Sequence, residues 1–277
     1  MNEKIDLILR EVQKVILGKQ EIIEKVMMAV LANGHILLDD VPGVGKTSLA
    51  VALSKALELC CQRVQFTPDV LPSDIVGFSV YNREQGTFRY MPGVVTKANL
   101  LLADEINRTS SKTQSALLEA MEEHQVTVDG DVHELMDPFI VIATENHVGT
   151  AGTQLLPHAQ LDRFLVRLTI GYPSFEAQMD IIRDRKTSDP MESVSAAASR
   201  DGLLTMQKEA ASVTMSDEIV AYITRLCMAS REHTGVELGI SPRGAIAVGR
   251  MARACAYLRG RDFVIPADVR EIFVDVC

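Results

Sequence analysis

The stretch "DDVPGVGKTS", residues 39–48, ends in Gly45-Lys46-Thr47 and decides how the rest of the chain is read. Before it stands "HILLDD", a short apolar run with the character of a strand. After it comes "TSLAVALSKALEL", where Leu49, Ala52, Leu53, Ala56 and Leu57 recur at helical spacing. Strand, glycine-rich turn and helix are the context of a phosphate-binding loop, in which backbone N–H groups and a helix N-terminus surround an anion. Pro42, Gly43, Val44 and Gly45 would bring the backbone close to the phosphates, and Lys46 would reach the outer ones. The Thr47 hydroxyl would hold Mg2+, and Ser48 carries the loop into the helix.

One position breaks the pattern G-x-x-x-x-G-K-[S/T]: Asp40 stands where the first glycine belongs. If the backbone there needs a positive φ, aspartate tolerates it at a cost of roughly 1 kcal/mol. If its carboxylate faced the phosphates, repulsion would be about 1–4 kcal/mol at ~4 Å, depending on the effective dielectric. The first position mainly turns the chain out of the strand, so the side chain is free to point away. Weakened or normal binding is expected, not abolished binding.

Working outward, "RVQF", "NLLLADE", "FIVIATE" and "FLVRLTI" are further apolar runs separated by helical or irregular segments. With "HILLDD" they predict a five-stranded, mostly parallel sheet covered on both faces, the αβα sandwich of a P-loop NTPase. "HQVTVDGDVHEL" is an exception, since alternating residues flanking Asp129-Gly130 signal a hairpin. The opening "IDLILREVQKVILGKQEIIEKVMMAVLANG" predicts two helices broken at Leu17-Gly18-Lys19. After "GYPSFEAQ" the strand signal stops, so residues 1–175 are expected to form the α/β core and 176–277 an all-helical second domain. Ser216 before Asp217 and Glu218, and Pro266 before Asp268, mark helix starts within it.

Composition narrows the classes. A chain of 277 residues with 47% hydrophobic and 23% charged content is long enough for a substantial core. A net charge of -9 argues against duplex DNA or an anionic membrane as the main partner. No apolar run approaches the ~18 residues of a membrane span, and the charged start is unlike a signal peptide. The five cysteines show no paired spacing, so buried thiols in a reducing, cytoplasmic setting are expected. The histidines show no metal-ligand grouping.

A second motif supports the first. "LLLADEINR", residues 100–108, is an apolar strand ending in two acids. Asp104 is placed to hold Mg2+, directly or through water, and Glu105 to orient or deprotonate an attacking water.

Taken together, "VILGKQ", "VPGVGKT", "TPDVLPSDIVG", "LLADEINRTSSKTQSALLEAMEE", "VIATENH", "LPHAQLDRF" and "ISPRG" resemble the MoxR-type AAA+ ATPases, from about residue 8 to 275. The resemblance implies an oligomeric ring, usually a hexamer, that hydrolyses ATP with Mg2+ and has a helical lid after its core. It implies a chaperone-like role toward other proteins, often partners with von Willebrand factor A domains. Asn146 matches the sensor-1 residue that places the attacking water. Arg163 matches the arginine finger that reaches a neighbouring subunit's ATP, and Arg243 the sensor-2 arginine projecting from the lid toward the γ-phosphate. Structural salt bridges are the alternative for both arginines. Leu17 and Gly18 match the adenine-side loop, which a plain interhelical turn explains nearly as well.

"LPSDIVGFSVYNREQ" and "TFRYMPGVV" occupy the family's helix-2 insert, where Phe78, Tyr81, Phe88 and Tyr90 lie in an irregular stretch. Packing within the insert is expected of them, with a ring pore or a partner as the alternative. His147 stands where the family usually has proline and His158 where glutamate is common; both read as tolerated loop substitutions. The chain ends in "EIFVDVC", at or a little before the family's usual last lid helix, which leaves open a C-terminus cut short. Seven arginines between Arg225 and Arg261 face only Glu232 and Glu237, a solvated face or a contact surface for a neighbour. A nucleotide-dependent switch with little hydrolysis and a nucleic-acid motor remain as other classes.

Overall fold

The computed structural model describes residues 2–146, 156–184 and 189–276. Two helices open the chain, α1 (Glu3–Gln13) and α2 (Gln20–Leu31), followed by β1 (Ile36–Asp39) and α3 (Lys46–Ala56). Next come β2 (Cys61–Gln65), α4 (Pro72–Val76), a hairpin of β3 (Gly77–Asn82) and β4 (Thr87–Pro92), and β5 (Leu100–Asp104). The core continues through α5 (Ser111–Glu123), a second hairpin of β6 (Gln125–Val128) and β7 (Asp131–Glu134), β8 (Ile140–Glu145), α6 (His158–Leu161) and β9 (Val166–Leu168). The remaining elements are α7 (Phe175–Asp184), α8 (Arg200–Ala211), α9 (Asp217–Glu232), α10 (Pro242–Leu258) and α11 (Pro266–Val276).

The five predicted strands form one sheet in the order β2-β5-β8-β1-β9, every pairing parallel. Alternate residues of the inner strands β1, β5 and β8 feed opposite cores, as a pleat requires. Leu100, Leu102, Ile140 and Ile142 pack with α1–α3 and the late helices. Leu101, Ala103, Val141 and Ala143 pack with Leu117 and Leu118 of α5 and Ile75 of α4. With both faces covered, these inner strands carry near-continuous apolar runs rather than alternation. β1 lies between β8 and β9, while the chain leaves it for β2 at the far edge. The loop after β1 therefore opens at the carboxyl end of the sheet, where connections diverge and ligands bind in such folds.

The late helices are tied to α2 by polar contacts. Gln207 of α8 donates to the Val30 carbonyl of α2 at 2.8 Å, Arg259 pairs with Glu24 at 2.9 Å, and Lys25 with Asp275 at 2.9 Å. α10 starts as its sequence dictates, with Ser241 as N-cap accepting from the Gly244 N–H at 2.9 Å and Pro242 in the first turn. Most of the arginine run is committed internally: Arg231, Arg250 and Arg253 donate to backbone carbonyls, and Arg261 pairs with Asp268.

Three expectations need correction. The insert is an ordered antiparallel hairpin rather than irregular, registered Phe78 opposite Met91 and Tyr81 opposite Phe88. Its aromatics pack within it only in part: Tyr81 lies against Phe88, and the Tyr90 hydroxyl donates to the Val76 carbonyl at 2.6 Å. Phe78, Tyr81 and Phe88 are 49%, 52% and 73% exposed, and the rings of Tyr81 and Phe88 meet at 5.3 Å between centroids. Tyr90 instead stacks on His133 of the second hairpin at 3.7 Å. The thiols also divide: Cys227 and Cys255 are buried, but Cys60 is exposed at the edge of the sheet. No helix among the described residues is long and apolar enough to cross a membrane.

Candidate nucleotide site

The loop after β1 takes the shape its glycines permit. Gly43 and Gly45 have φ of +83° and +98°, and Gly45 is the N-cap of α3. These are left-handed conformations that side chains resist. A Cβ built at Gly43 would meet no atom within 4 Å, so the space before the loop is open. Two clefts flank it. One, of about 890 Å³, runs from Gly43, Gly45 and Ser48 to Leu17 and to Tyr172 and Pro173 after β9. The other, of about 360 Å³, joins Pro42, Lys46 and Thr47 to Asp104, Glu105 and Asn146. A large, half-apolar cleft beside a small polar one suits a base with its ribose and a phosphate tail. Gly18, at φ +70°, turns the chain between α1 and α2, and a Cβ there would crowd Ala177 of α7 at 3.1 Å.

Lys46 is buried, its Nζ donating to the Asp40 carbonyl at 2.6 Å and the Glu145 carbonyl at 3.2 Å. Burial pushes its pKa down, against the pull of Asp40, Asp104, Asp39 and Glu105, which raise it. A cation held by two carbonyls at the mouth of an open cleft fits an incoming anion. Thr47 and Asp104 line the polar cleft and fit Mg2+, with a condition on the second. One carboxylate oxygen of Asp104 accepts from the Thr144 hydroxyl at 2.7 Å, and the other pairs with Arg63 at 2.7 Å. Asp104 is thus better placed to act through water than by direct ligation.

Glu105 sits at φ +55°, a left-handed turn between β5 and the short helical turn Ile106–Arg108. Its backbone N–H donates to Thr144 Oγ1 at 2.9 Å, and its Oε2 accepts from Gln65 at 2.9 Å and Arg108 at 2.8 Å. One threonine hydroxyl therefore orients both acids. Asn146, just past β8, is buried, lines the same cleft and accepts from Asn107 through its carbonyl at 3.3 Å. Arg63, Gln65, Arg108 and Thr144 went unnoticed in the sequence. The available signal was period two: Asn146 follows the end of β8 in step with Thr144, and Arg63 and Gln65 share a face of β2.

The two predicted arginines stand elsewhere. Arg163, after α6, pairs through Nε with one oxygen of Glu122 at 3.1 Å, and Arg243 of α10 pairs with the other at 2.9 Å. Beside them, Ser241 donates to Asp162 at 2.9 Å. Neither arginine lines either cleft. In this chain Arg243 is thus paired with the end of α5. His158 is an exposed residue of α6 a few positions before Arg163, whereas His147 lies outside the described residues.

Residues 35–166 match the model of the ATPase family associated with various cellular activities (AAA), and residues 228–277 that of the AAA lid domain. The uncharacterized protein YeaC of Bacillus subtilis is 48% identical over 261 residues, 94% of this chain and 81% of that protein. The chaperone MoxR1 of Mycobacterium tuberculosis is 39% identical over 275 residues, 96% of this chain and 72% of that one. A crystal structure of a candidate ATPase from Cytophaga hutchinsonii superimposes with a TM-score of 0.89 at 38% identity, covering 99% of this chain and 86% of that one.

Proposed function

The chain belongs to the MoxR family of AAA+ ATPases, and from that premise we propose that it hydrolyses ATP to ADP and phosphate in a homo-oligomeric, hexameric ring. Turnover would drive chaperone-like remodelling or maturation of client proteins, von Willebrand factor A domain proteins among them, in the cytoplasm. Residues 1–175 are the nucleotide-binding core in this reading, and 176–277 the lid.

What carries the reading is a division of labour. Lys46, Thr47, Asp104, Glu105 and Asn146 converge on one cleft, while Arg163 and Arg243 meet at a single carboxylate away from it. An arginine pair remote from its own subunit's cleft suits a neighbour's nucleotide. Leu17 and Gly18 border the base, and the backbone from Pro42 to Ser48 wraps the phosphates. Lys46 exchanges its two carbonyls for phosphate oxygens. Thr47, and Asp104 through water, would hold Mg2+, which would supply charge neutralisation on the phosphates. Glu105 gives up Arg108 or Gln65 to take the proton of the attacking water, which Asn146 orients. Arg163 and Arg243 of the adjoining subunit neutralise the charge of the transferring phosphoryl group, a contribution of about 10³–10⁵ in rate where it is measured elsewhere.

Magnesium-dependent ATP turnover per subunit across a wide range of protein concentration tests this. A specific rate that rises with concentration is expected; a measurable rate independent of concentration would remove the trans arginines. One observation favours the second reading, a nucleotide-dependent switch: Glu105 and Asp104 are both engaged by cations, Arg108 and Arg63. A near-zero rate at every concentration, with nucleotide bound, would support it.

A further inference from the structure

Asp40 occupies the place of the loop's first glycine, yet its φ is not among the positive values of the chain, so no glycine is needed there for conformation. It also lines neither cleft. One carboxylate oxygen accepts from the Val41 N–H at 2.8 Å, and the other from the Gly171 N–H at 2.5 Å. Gly171 begins the segment Gly171–Pro173, which joins β9 to α7 and walls the larger cleft. A second tie meets the same segment from the α1–α2 turn, where Lys19 Nζ donates to the Tyr172 carbonyl at 2.8 Å. The Asp40 carbonyl, meanwhile, is an acceptor for Lys46. Residue 40 therefore touches the phosphate-binding lysine through its backbone and the core-to-lid connection through its side chain.

We propose that Asp40 is a positioning residue that straps the Gly171–Pro173 wall to the phosphate loop, so that the base side of the cleft is formed before nucleotide arrives. The proposal rests on the nucleotide reading above. A charged acceptor on a backbone N–H is among the stronger hydrogen bonds, and a wall fixed in advance spares the ligand the ordering cost. Movement of Lys46 from the Asp40 carbonyl to a phosphate also reaches the lid connection through the same residue. The consequence opposes the motif's logic: restoring the missing glycine weakens nucleotide binding instead of improving it.

The test is calorimetric binding of ADP and of inorganic pyrophosphate, each with Mg2+, to the full chain and to Asp40→Gly, Asp40→Asn and Lys19→Met. Asp40→Gly is expected to weaken ADP roughly tenfold, the scale of one lost charge-assisted bond, and to leave pyrophosphate within about twofold. Asp40→Asn, whose single acceptor oxygen can take the Gly171 N–H but whose amide NH2 cannot accept from Val41, is expected to recover only part of the loss. Lys19→Met, which cuts the other tie, is expected to weaken ADP in the same selective way should Asp40→Gly not fold. Unchanged or tighter ADP binding in Asp40→Gly overturns the strap, as does equal weakening of ADP and pyrophosphate. If the unmodified chain binds neither ligand, the nucleotide reading falls first and the strap with it.

Discussion

Replacing His35 by asparagine removes a titration that the fold holds far below its ordinary range. The imidazole lies just before β1, buried, and links three elements. Its Nε2 donates to the Met121 carbonyl of α5 at 3.0 Å, while its Nδ1 accepts from the Val141 N–H of β8 at 3.1 Å. One ring nitrogen must donate and the other accept, so only the neutral ring fits. Burial is the main cause of a pKa pushed down to about 4; the positive fields of His124, Arg250 and Arg243 add to it, and the Met121 bond opposes it. In the unfolded chain the group titrates near ~6.5. The folded pKa lies below the unfolded one, so the unfolded state takes up the proton first. Stability from this group is complete above pH ~6.5, falls as pH drops toward 4, and is lost below that. The gap of about 2.5 pKa units corresponds to about 3 kcal/mol in full and about 2 kcal/mol by pH 5.

Asparagine keeps an acceptor near the Nδ1 position for Val141 but does not titrate. Urea unfolding of the wild type and His35→Asn at pH 7 and pH 5 gives a double difference in which other titrating groups cancel. The variant is expected to be less stable at pH 7 yet to lose about 2 kcal/mol less on going to pH 5. The resonance of the His35 ring, identified by its absence from the variant, should shift with a midpoint near 4. Equal losses at the two pH values in both proteins, or a midpoint near 6.5, would refute the reasoning.

The remaining predictions concern turnover. Glu105→Gln keeps ATP affinity and lowers the rate by about 10²-fold or more, because the amide cannot take a proton from water; initial-rate assays beside equilibrium binding will show an unchanged rate if Glu105 is only structural. Arg163→Ala lowers turnover, and mixing it with Lys46→Ala subunits restores part of the rate, since each supplies what the other's interface lacks; no restoration at any mixing ratio removes the trans role. Glu122→Ala releases both arginines from their shared carboxylate, so the maximal rate should fall severalfold with ATP affinity unchanged, whereas a change confined to affinity would place the arginines in their own subunit's site.

What could be read in the sequence was whatever local chemistry determines. β5 and β8 announce themselves because strands buried on both faces must be apolar throughout. The β6–β7 hairpin does so because Asp129 and Gly130 both take positive φ, at 52° and 91°, and that pair of residues is made for it. The β3–β4 hairpin hid because its reversal is longer, held by the Asn82 side chain accepting from the Glu84 N–H at 3.0 Å, and ends at Gly86 with φ +66°. Its apolar residues also fall on both faces, so no alternation marks it. Phosphate-loop and acid motifs identified the cleft because spacing along one strand–turn–helix suffices to place them. Nothing local tells Arg243 that its partner is Glu122, or Asp40 that it faces Gly171: those contacts join elements over a hundred residues apart and depend on the tertiary fold. A departure from a motif therefore has to be judged by the partner it acquires. Asp40 looked like a liability beside a triphosphate, and in the folded chain its carboxylate is already committed to two backbone N–H groups. Anion repulsion at that position is blunted by geometry that the motif alone does not contain.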